Sequence, residues 1–383
     1  MNLAQSVRKI KYKTYLWFFH KMPIKNNKIL LWTNNFHAYG DSPKYIAEYM
    51  LHHFPNKYDL VWVFENDVVV PADMPSEIRV VRFFSTEYLK EISTAKMVIC
   101  NARIPSYCFF DKREGQIYIQ TWHSSLRLKM IEGDAPSLPE SYVVTAKLDS
   151  KKIDLLLSGC MFSTEVFQRA FWYDGEIMQK GTPRCDLFFN NQQEIRKKVF
   201  QHYKLHYNTK LALYAPTFRD NKEAQTHGFD FECVAEILRE KNNEDWAIGC
   251  RYHPNIKAAN VPNGSIDMTS YPDMQELIAA ADILITDYSS CMFDMAISGK
   301  PCILYIPDIE EYTAKERALY FKLTDLPFPV TLSMDELCLT ISNFDCNTYK
   351  AKVQVFLDAV GNYENGHASE SVAKYIEEKC GVR

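Results

Sequence analysis

Short β-rich runs alternate with helical patterns along almost the whole chain. That alternation restricts the fold to parallel sheets, because parallel neighbours need a helix-length crossover between them. In the first half, "KILLWTNN" (28–35) leads through a helical stretch to "YDLVWVFEN", "IRVVRFF" (78–84), "MVICNAR", "QIYIQTW" (116–122), "IDLLLSG" (153–159) and "IMQKGTPR". A polar helical stretch over 190–209 reads as the lead into a linker. The pattern then restarts with "KLALYAPTFRD" (210–220), "WAIGCRYHPN" (246–255), "DILITDYSS" (282–290) and "KPCILYIPD" (300–308). A chain of 383 residues is expected to build two cores rather than one. The expected fold class is therefore α/β, with two Rossmann-like doubly wound domains facing a cleft. The expected divisions are a basic arm over 1–28, one domain over 29–205 and a second over 206–383 that ends in helices.

Composition excludes several classes. With 47% hydrophobic and 24% charged residues, the chain is ordinary globular protein, and a net charge of -4 exerts no global pull toward nucleic acid. The eleven cysteines form no CxxC, and their odd number argues against a disulfide framework. They read as reduced core residues of a protein in the cytoplasm. Charge is uneven only at the start: Arg8, Lys9, Lys11, Lys13, Lys21, Lys25 and Lys28 precede the first carboxylate, Asp41. Leu3, Val7, Ile10, Thr14, Trp17 and Phe18 fall near helical spacing in this arm. The apolar run is too short to span a bilayer, and no small-residue cleavage site follows it. Such a helix suits either the surface of an anionic membrane, on its cytoplasmic face, or a place on the protein's own core.

In doubly wound sheets, ligands collect at the carboxyl ends of the strands, and the polar oddities of this sequence all lie there. "TDYSSCMFDMAISGKP" ends a strand at Thr286-Asp287 and opens a helix at Ser289-Ser290, where free N–H groups attract an anion. The same two hydroxyls also make an ordinary cap. Asp294, about one turn in, is placed to accept ribose hydroxyls, so the stretch suits a nucleotide diphosphate. Arg219 in "APTFRD" and His253 in "RYHPN" bring a guanidinium and an imidazole to neighbouring strand ends, as a pyrophosphate requires. Each, read singly, is more often a structural residue. In the other half, His123 of "QTWHSSLRLKM" is the natural base for an acceptor hydroxyl. Ser124, Ser125 and Arg127 follow it on the acceptor side, Arg127 suiting an anionic acceptor. No HExxH, Cys/His cluster, GxGxxG or Walker loop occurs, so neither a metal nor a cofactor is expected.

In combination and in order, "QTWHSSLRLKM", "LLSGCMFSTEVFQRAFWYDGEIMQKGTPRCD", "LYAPTFRD", "RYHPN", "TDYSSCMFDMAISGKPCILYIPDIEEY" and "ERALYFKLTDLPFPV" resemble the CDP-glycerol glycerophosphotransferases of teichoic acid and capsule synthesis. The resemblance runs from about residue 30 to the "NYENGHASE" segment at 362–370. It implies the glycosyltransferase-B type of fold, peripheral membrane attachment and polyol-phosphate transfer from a CDP-polyol donor such as CDP-glycerol. The implied acceptor is a lipid-linked glycan or a growing polyol-phosphate polymer. It also implies that His123 and His253 are the catalytic histidines, and that Arg219, Ser289, Ser290 and Asp294 line the donor site, with Thr217 and Asp287 in the same motifs. The chain departs from the family where Ser124-Ser125-Leu126 replace a common Gly-Thr-Pro after the first histidine, which is on the acceptor side. A CDP-ribitol ribitolphosphotransferase and a nucleotide-sugar glycosyltransferase of the same fold are the alternatives.

Overall fold

A computed structural model describes residues 12–217, 228–252, 263–309 and 318–382. The first sheet contains β1 (Lys25–Trp32), β2 (Asp59–Phe64), β3 (Arg79–Arg82), β4 (Ala95–Cys100), β5 (Ile117–Gln120), β6 (Leu155–Ser158) and β7 (Glu176–Gln179), in the order β3-β2-β1-β4-β5-β6-β7. The second contains β8 (Lys210–Ala215), β9 (Trp246–Cys250), β10 (Ile266–Asp267), β11 (Ile283–Thr286), β12 (Cys302–Tyr305) and β13 (Val330–Thr331), in the order β10-β9-β8-β11-β12-β13. All neighbouring pairs in both sheets are parallel. Strands such as β6 and β11 are buried at every residue, and for that reason they read in sequence as unbroken apolar runs rather than alternating ones.

Each sheet changes winding direction once, between β1 and β4 in the first and between β8 and β11 in the second. At these points adjacent loops part in opposite directions and leave a crevice.

Two segments lie differently from the expected divisions. β1 begins at Lys25, inside the stretch read as an arm. The last helix, Ala368–Cys380, leaves the second half and packs Val372, Ala373 and Ile376 into the core beneath the helix Asp41–His53. Asp186 accepts from the backbone N–H groups of Ala368 (3.0 Å) and Ser369 (2.7 Å), which anchors that helix start on the first half. The helical segment at 12–19 is also docked, through Leu16 and Phe19, while Trp17 (63% exposed) and Phe18 (56%) face outward.

The two halves are sewn together along one side of the crevice. Leu126 and Leu128 share a core with Tyr288, Met292 and Phe293. Residues 128–130 pair with 318–320, Tyr320 N donating to Leu128 O and Met130 N to Ala318 O, both at 2.8 Å. Deeper in, Lys44 of the first half reaches Asp273 (2.8 Å) and Glu276 (2.6 Å) of the second, and Tyr45 also donates to Asp273.

Candidate active site

Both switch points open into one cleft of about 960 Å³. Asn34, Asn35, His37, Ala102 and His123 line it from the first sheet; Ala215, Pro216, Arg251, Tyr252 and Ser289 line it from the second.

His123 owes its position to an unusual backbone. Trp122 stands in the left-handed region (φ 54), which costs a bulky residue on the order of 1–3 kcal/mol and persists only where the surroundings enforce it. Here Trp122 N donates to the Gln120 side chain at 2.9 Å, Thr121 Oγ1 donates to Trp122 O at 2.9 Å, and the indole packs edge-on against Phe171. The chain turns sharply at the end of β5 and delivers the next residue into the cleft. Across from it Asn34, Asn35 and Phe36 are also left-handed, with φ of 46, 51 and 73. Asn101 holds that loop, accepting from Asn34 N (2.9 Å) and donating to Asn34 Oδ1 (3.1 Å).

The imidazole of His123 has a defined tautomer. Nδ1 lies 3.1 Å from the carbonyl oxygen of Asn101. A carbonyl only accepts, so the network assigns the proton to Nδ1 and leaves the lone pair on Nε2. His123 is exposed at the cleft, with the protein packed around its Nδ1 side. Desolvation holds its pKa below the ordinary histidine value; Asp41 and the Asn101 carbonyl oppose the shift, while Arg184 and Arg127 add to it. The neutral base is therefore the resting form near pH 7.

Other expected site residues have structural partners. Asp294 is 2% exposed; Arg184 donates to its Oδ2 at 2.7 Å and Gln275 at 3.1 Å. Its carboxylate faces the first half instead of lying open to a ribose, because the buried guanidinium of Arg184 requires a counter-charge there. Arg184 also donates to Asp41 (3.0 Å) and to the carbonyl of His123. Asp287 accepts from Thr217 N (2.8 Å) and Thr217 Oγ1 (2.5 Å), and so clasps the ends of β8 and β11 together. Ser124, Ser125 and Arg127, expected on the acceptor side, are buried and are not among the residues lining this cleft. The Arg127 guanidinium lies 4.3 Å over the Phe167 ring without a hydrogen-bond partner among the described residues. Burial pushes its pKa down to about 10.

Ser289 and Ser290 are half-buried at the start of the helix Cys291–Ile297. Ser290 makes no side-chain cap, and Ser289 Oγ accepts from Cys291 N only at 3.5 Å. Among the described residues their hydroxyls are thus little used. Arg219 and His253 lie outside the described residues.

Sequence reasoning missed several residues. His37, two residues beyond the quoted "KILLWTNN", and Arg251 of "WAIGCRYHPN" face the cleft. Arg184 belongs to the quoted "GTPR", where a charged residue at a strand end was the available signal. Glu364 carried no local signal at all. It accepts from Thr182 N (2.9 Å) and Thr182 Oγ1 (2.8 Å) beneath the β7 loop, and burial raises its pKa to about 7. The fit is close: a Cβ on Gly181 (φ 88) would lie 2.7 Å from Glu364 Oε2.

Two parallel sheets meeting at one cleft, with His123 at one switch point and Ser289 and Arg251 at the other, define a two-domain fold of the glycosyltransferase-B kind. The chain belongs to the CDP-Glycerol:Poly(glycerophosphate) glycerophosphotransferase family, whose sequence model matches residues 14–378. It is 35% identical, over 88% of its length, to a teichoic acid poly(glycerol phosphate) polymerase of Staphylococcus epidermidis. It is 28% identical, over 95% of its length, to one of Bacillus subtilis. The chain spans about half the length of these two relatives, 48% and 50% respectively. A solved structure of a variant of the wall teichoic acid polymerase TagF, soaked with CDPG, superposes with a TM-score of 0.83 at 30% identity, covering 100% of this chain and 99% of that one.

Proposed function

We propose that the chain transfers glycerol phosphate from CDP-glycerol to a hydroxyl of a lipid-linked glycan or growing teichoic acid polymer, releasing CMP. The observation that carries this reading is the His123 imidazole, with Nε2 as its free acceptor nitrogen, in a cleft whose opposite wall holds Ser289 and Arg251. The acceptor oxygen attacks the β-phosphorus of CDP-glycerol. Its proton passes to Nε2, a new P–O bond forms, and the P–O bond to CMP breaks with its electron pair leaving on CMP. Ser289, Ser290 and Arg251 stabilise the charge on the pyrophosphate, together with Arg219 and His253, which the family resemblance assigns to the same task. Phosphoryl transfer needs mainly position and charge stabilisation, which such a cleft supplies. The family and the CDPG-soaked relative support the donor.

The same reading has the protein working at an anionic membrane surface on the cytoplasmic side. Trp17 and Phe18 are exposed beside the basic arm, and Lys21 lies 3.4 Å over the Trp17 ring. No described helix is long and apolar enough to cross a membrane.

A donor panel tests the function. CDP-glycerol, CDP-ribitol and UDP-sugars are supplied with a lipid-linked acceptor, nucleotide release is followed, and the product is weighed by mass spectrometry. CMP release with addition of a glycerol phosphate unit is expected. A bare hexose added from a UDP-sugar would overturn the reading.

A further inference from the structure

Two thiols meet on one face of the second sheet, away from the cleft. Cys233 belongs to the helix Phe231–Asn242 and Cys338 to the helix Met334–Ser342. These helices lie side by side, and Val234, Leu238, Leu337 and Ile341 share one core with Ile248 and Ile285 of the sheet. Their register is fixed at both ends. At one end Asp230 caps the first helix through the N–H groups of Glu232 (3.1 Å) and Cys233 (3.0 Å), and Ser333 caps the second through Glu336 N (3.2 Å). At the other, Lys241 Nζ donates to the carbonyls of Ile341 (2.9 Å), Ser342 (2.9 Å) and Phe344 (2.7 Å). Between these restraints the two Sγ atoms stand 3.2 Å apart. An S–S bond of about 2.0 Å therefore asks for a further approach of roughly 1 Å, which side-chain rotation can supply.

Access separates this pair from most other thiols of the chain. Both cysteines are half-buried, whereas eight of the eleven are buried and Cys346 is exposed. Burial, and after it the hydrogen bond with Cys233, pushes the Cys338 thiol up to about 12. Cys338 is thus protonated near neutral pH, and oxidation begins on its partner.

We propose that Cys233 and Cys338 are an oxidative modification site, which a peroxide joins into a reversible disulfide that staples the second half. The Cys233 sulfur takes one peroxide oxygen as the O–O bond breaks, giving a sulfenic acid and one water. The Cys338 sulfur then attacks the sulfenic sulfur. The S–S bond forms, the S–O bond breaks, and the Cys338 proton leaves with the hydroxyl as a second water. Two thiols are oxidised to one disulfide while one hydrogen peroxide is reduced to two waters, and a dithiol reverses the link. The link spans 105 positions, and the closed segment contains Arg251 and Ser289 of the cleft's second wall. Closing so long a loop removes freedom from the unfolded chain, so the linked form is the more stable one. Neither cysteine lines the cleft, and the link is independent of the transfer reaction.

To test this, the full chain is treated with a small molar excess of hydrogen peroxide, remaining thiols are alkylated, and peptides are mapped by mass spectrometry. A linked Cys233–Cys338 peptide that dithiothreitol removes is expected. Urea denaturation should give a higher midpoint for the oxidised protein than for the reduced one, with an unfolding constant lower by about tenfold or more. Cys233→Ser and Cys338→Ser should each abolish both the linked peptide and the shift, and Cys346→Ser should leave both. Where a serine variant fails to fold, Cys338→Ala takes its place, and mapping of the unsubstituted protein decides in any case. No reaction, a disulfide through another cysteine, sulfinic acid on Cys233 without the link, or a linked protein with an unchanged midpoint would each overturn the proposal.

Discussion

The switch points of the two sheets have the same strand order around them and opposite character. On the first, four left-handed non-glycine residues, Asn34, Asn35, Phe36 and Trp122, bend the loops so that imidazoles face the cleft. On the second, β8 and β11 end in a relaxed clasp, with Asp287 accepting from Thr217 N and Oγ1. Beyond that clasp, serine hydroxyls and a guanidinium line the opening. Topology supplies the crevice in both cases, and the residues of the loops decide which side chains line it.

The contrast is broken most severely at the base. His123→Ala should lower kcat by about 10²–10⁴-fold, the usual contribution of a general base, with CMP affinity unchanged, since the proposed mechanism assigns the nucleotide to the other sheet. Steady-state kinetics with calorimetry would check both halves of that statement, and near-normal turnover in a folded variant would take His123 out of the mechanism.

Arg184 joins the two sides, and its loss should be felt as stability. Arg184→Met strands Asp294 in a buried site, which costs about 3–5 kcal/mol when one partner of such a pair is removed. Urea denaturation measures this. Adding Asp294→Asn should recover much of the loss, since the stranded charge is then gone; no recovery would mean that the Asp41 and His123 contacts of Arg184 carry the effect.

On the second sheet, Ser289→Ala with Ser290→Ala should weaken CMP and CDP-glycerol by about tenfold or more, as expected for lost hydrogen bonds to a charged group. Turnover at saturating donor should change less. Unchanged affinity by calorimetry would reduce those serines to a helix start.

A smaller effect concerns the membrane. Because Leu16 and Phe19 are in the core, truncating the arm through residue 22 would confuse docking with folding. Trp17→Ser with Phe18→Ser alters only exposed side chains and should lower sedimentation with anionic vesicles, most visibly at high salt, where the basic residues are screened. Equal sedimentation would exclude this face as the docking surface.

The finest test is pH. In the proposed mechanism His123 acts when neutral, so activity is present above its pKa and falls as pH drops through it. Desolvation lowers the His123 pKa, and the acid limb of kcat/KM should therefore lie below about 6.5, the unperturbed histidine value. A limb above that value would point to another titrating group.

Much of this was legible in the linear chain. Alternating β-rich and helical runs require parallel sheets, a restart after 209 requires a second one, and polar residues at strand ends mark where ligands gather. These are local properties of short segments, and a strand or helix keeps them wherever it packs. His123 stood out for the same reason, as an imidazole at the end of β5, a place that suits a loop contact as well as a base. What the chain alone did not decide were partnerships across long separations. Asp294 looks available on its own helix, and only the folded molecule brings Arg184, 110 residues earlier, against it. Ser124, Ser125 and Arg127 stand beside His123 in sequence, yet the left-handed turn at Trp122 and the burial of Leu126 and Leu128 carry them into the interior. Which carboxylate is spoken for and which thiol has a partner depends on side chains that meet only in three dimensions, because electrostatic compensation and packing are set by distance in space and not by distance along the chain.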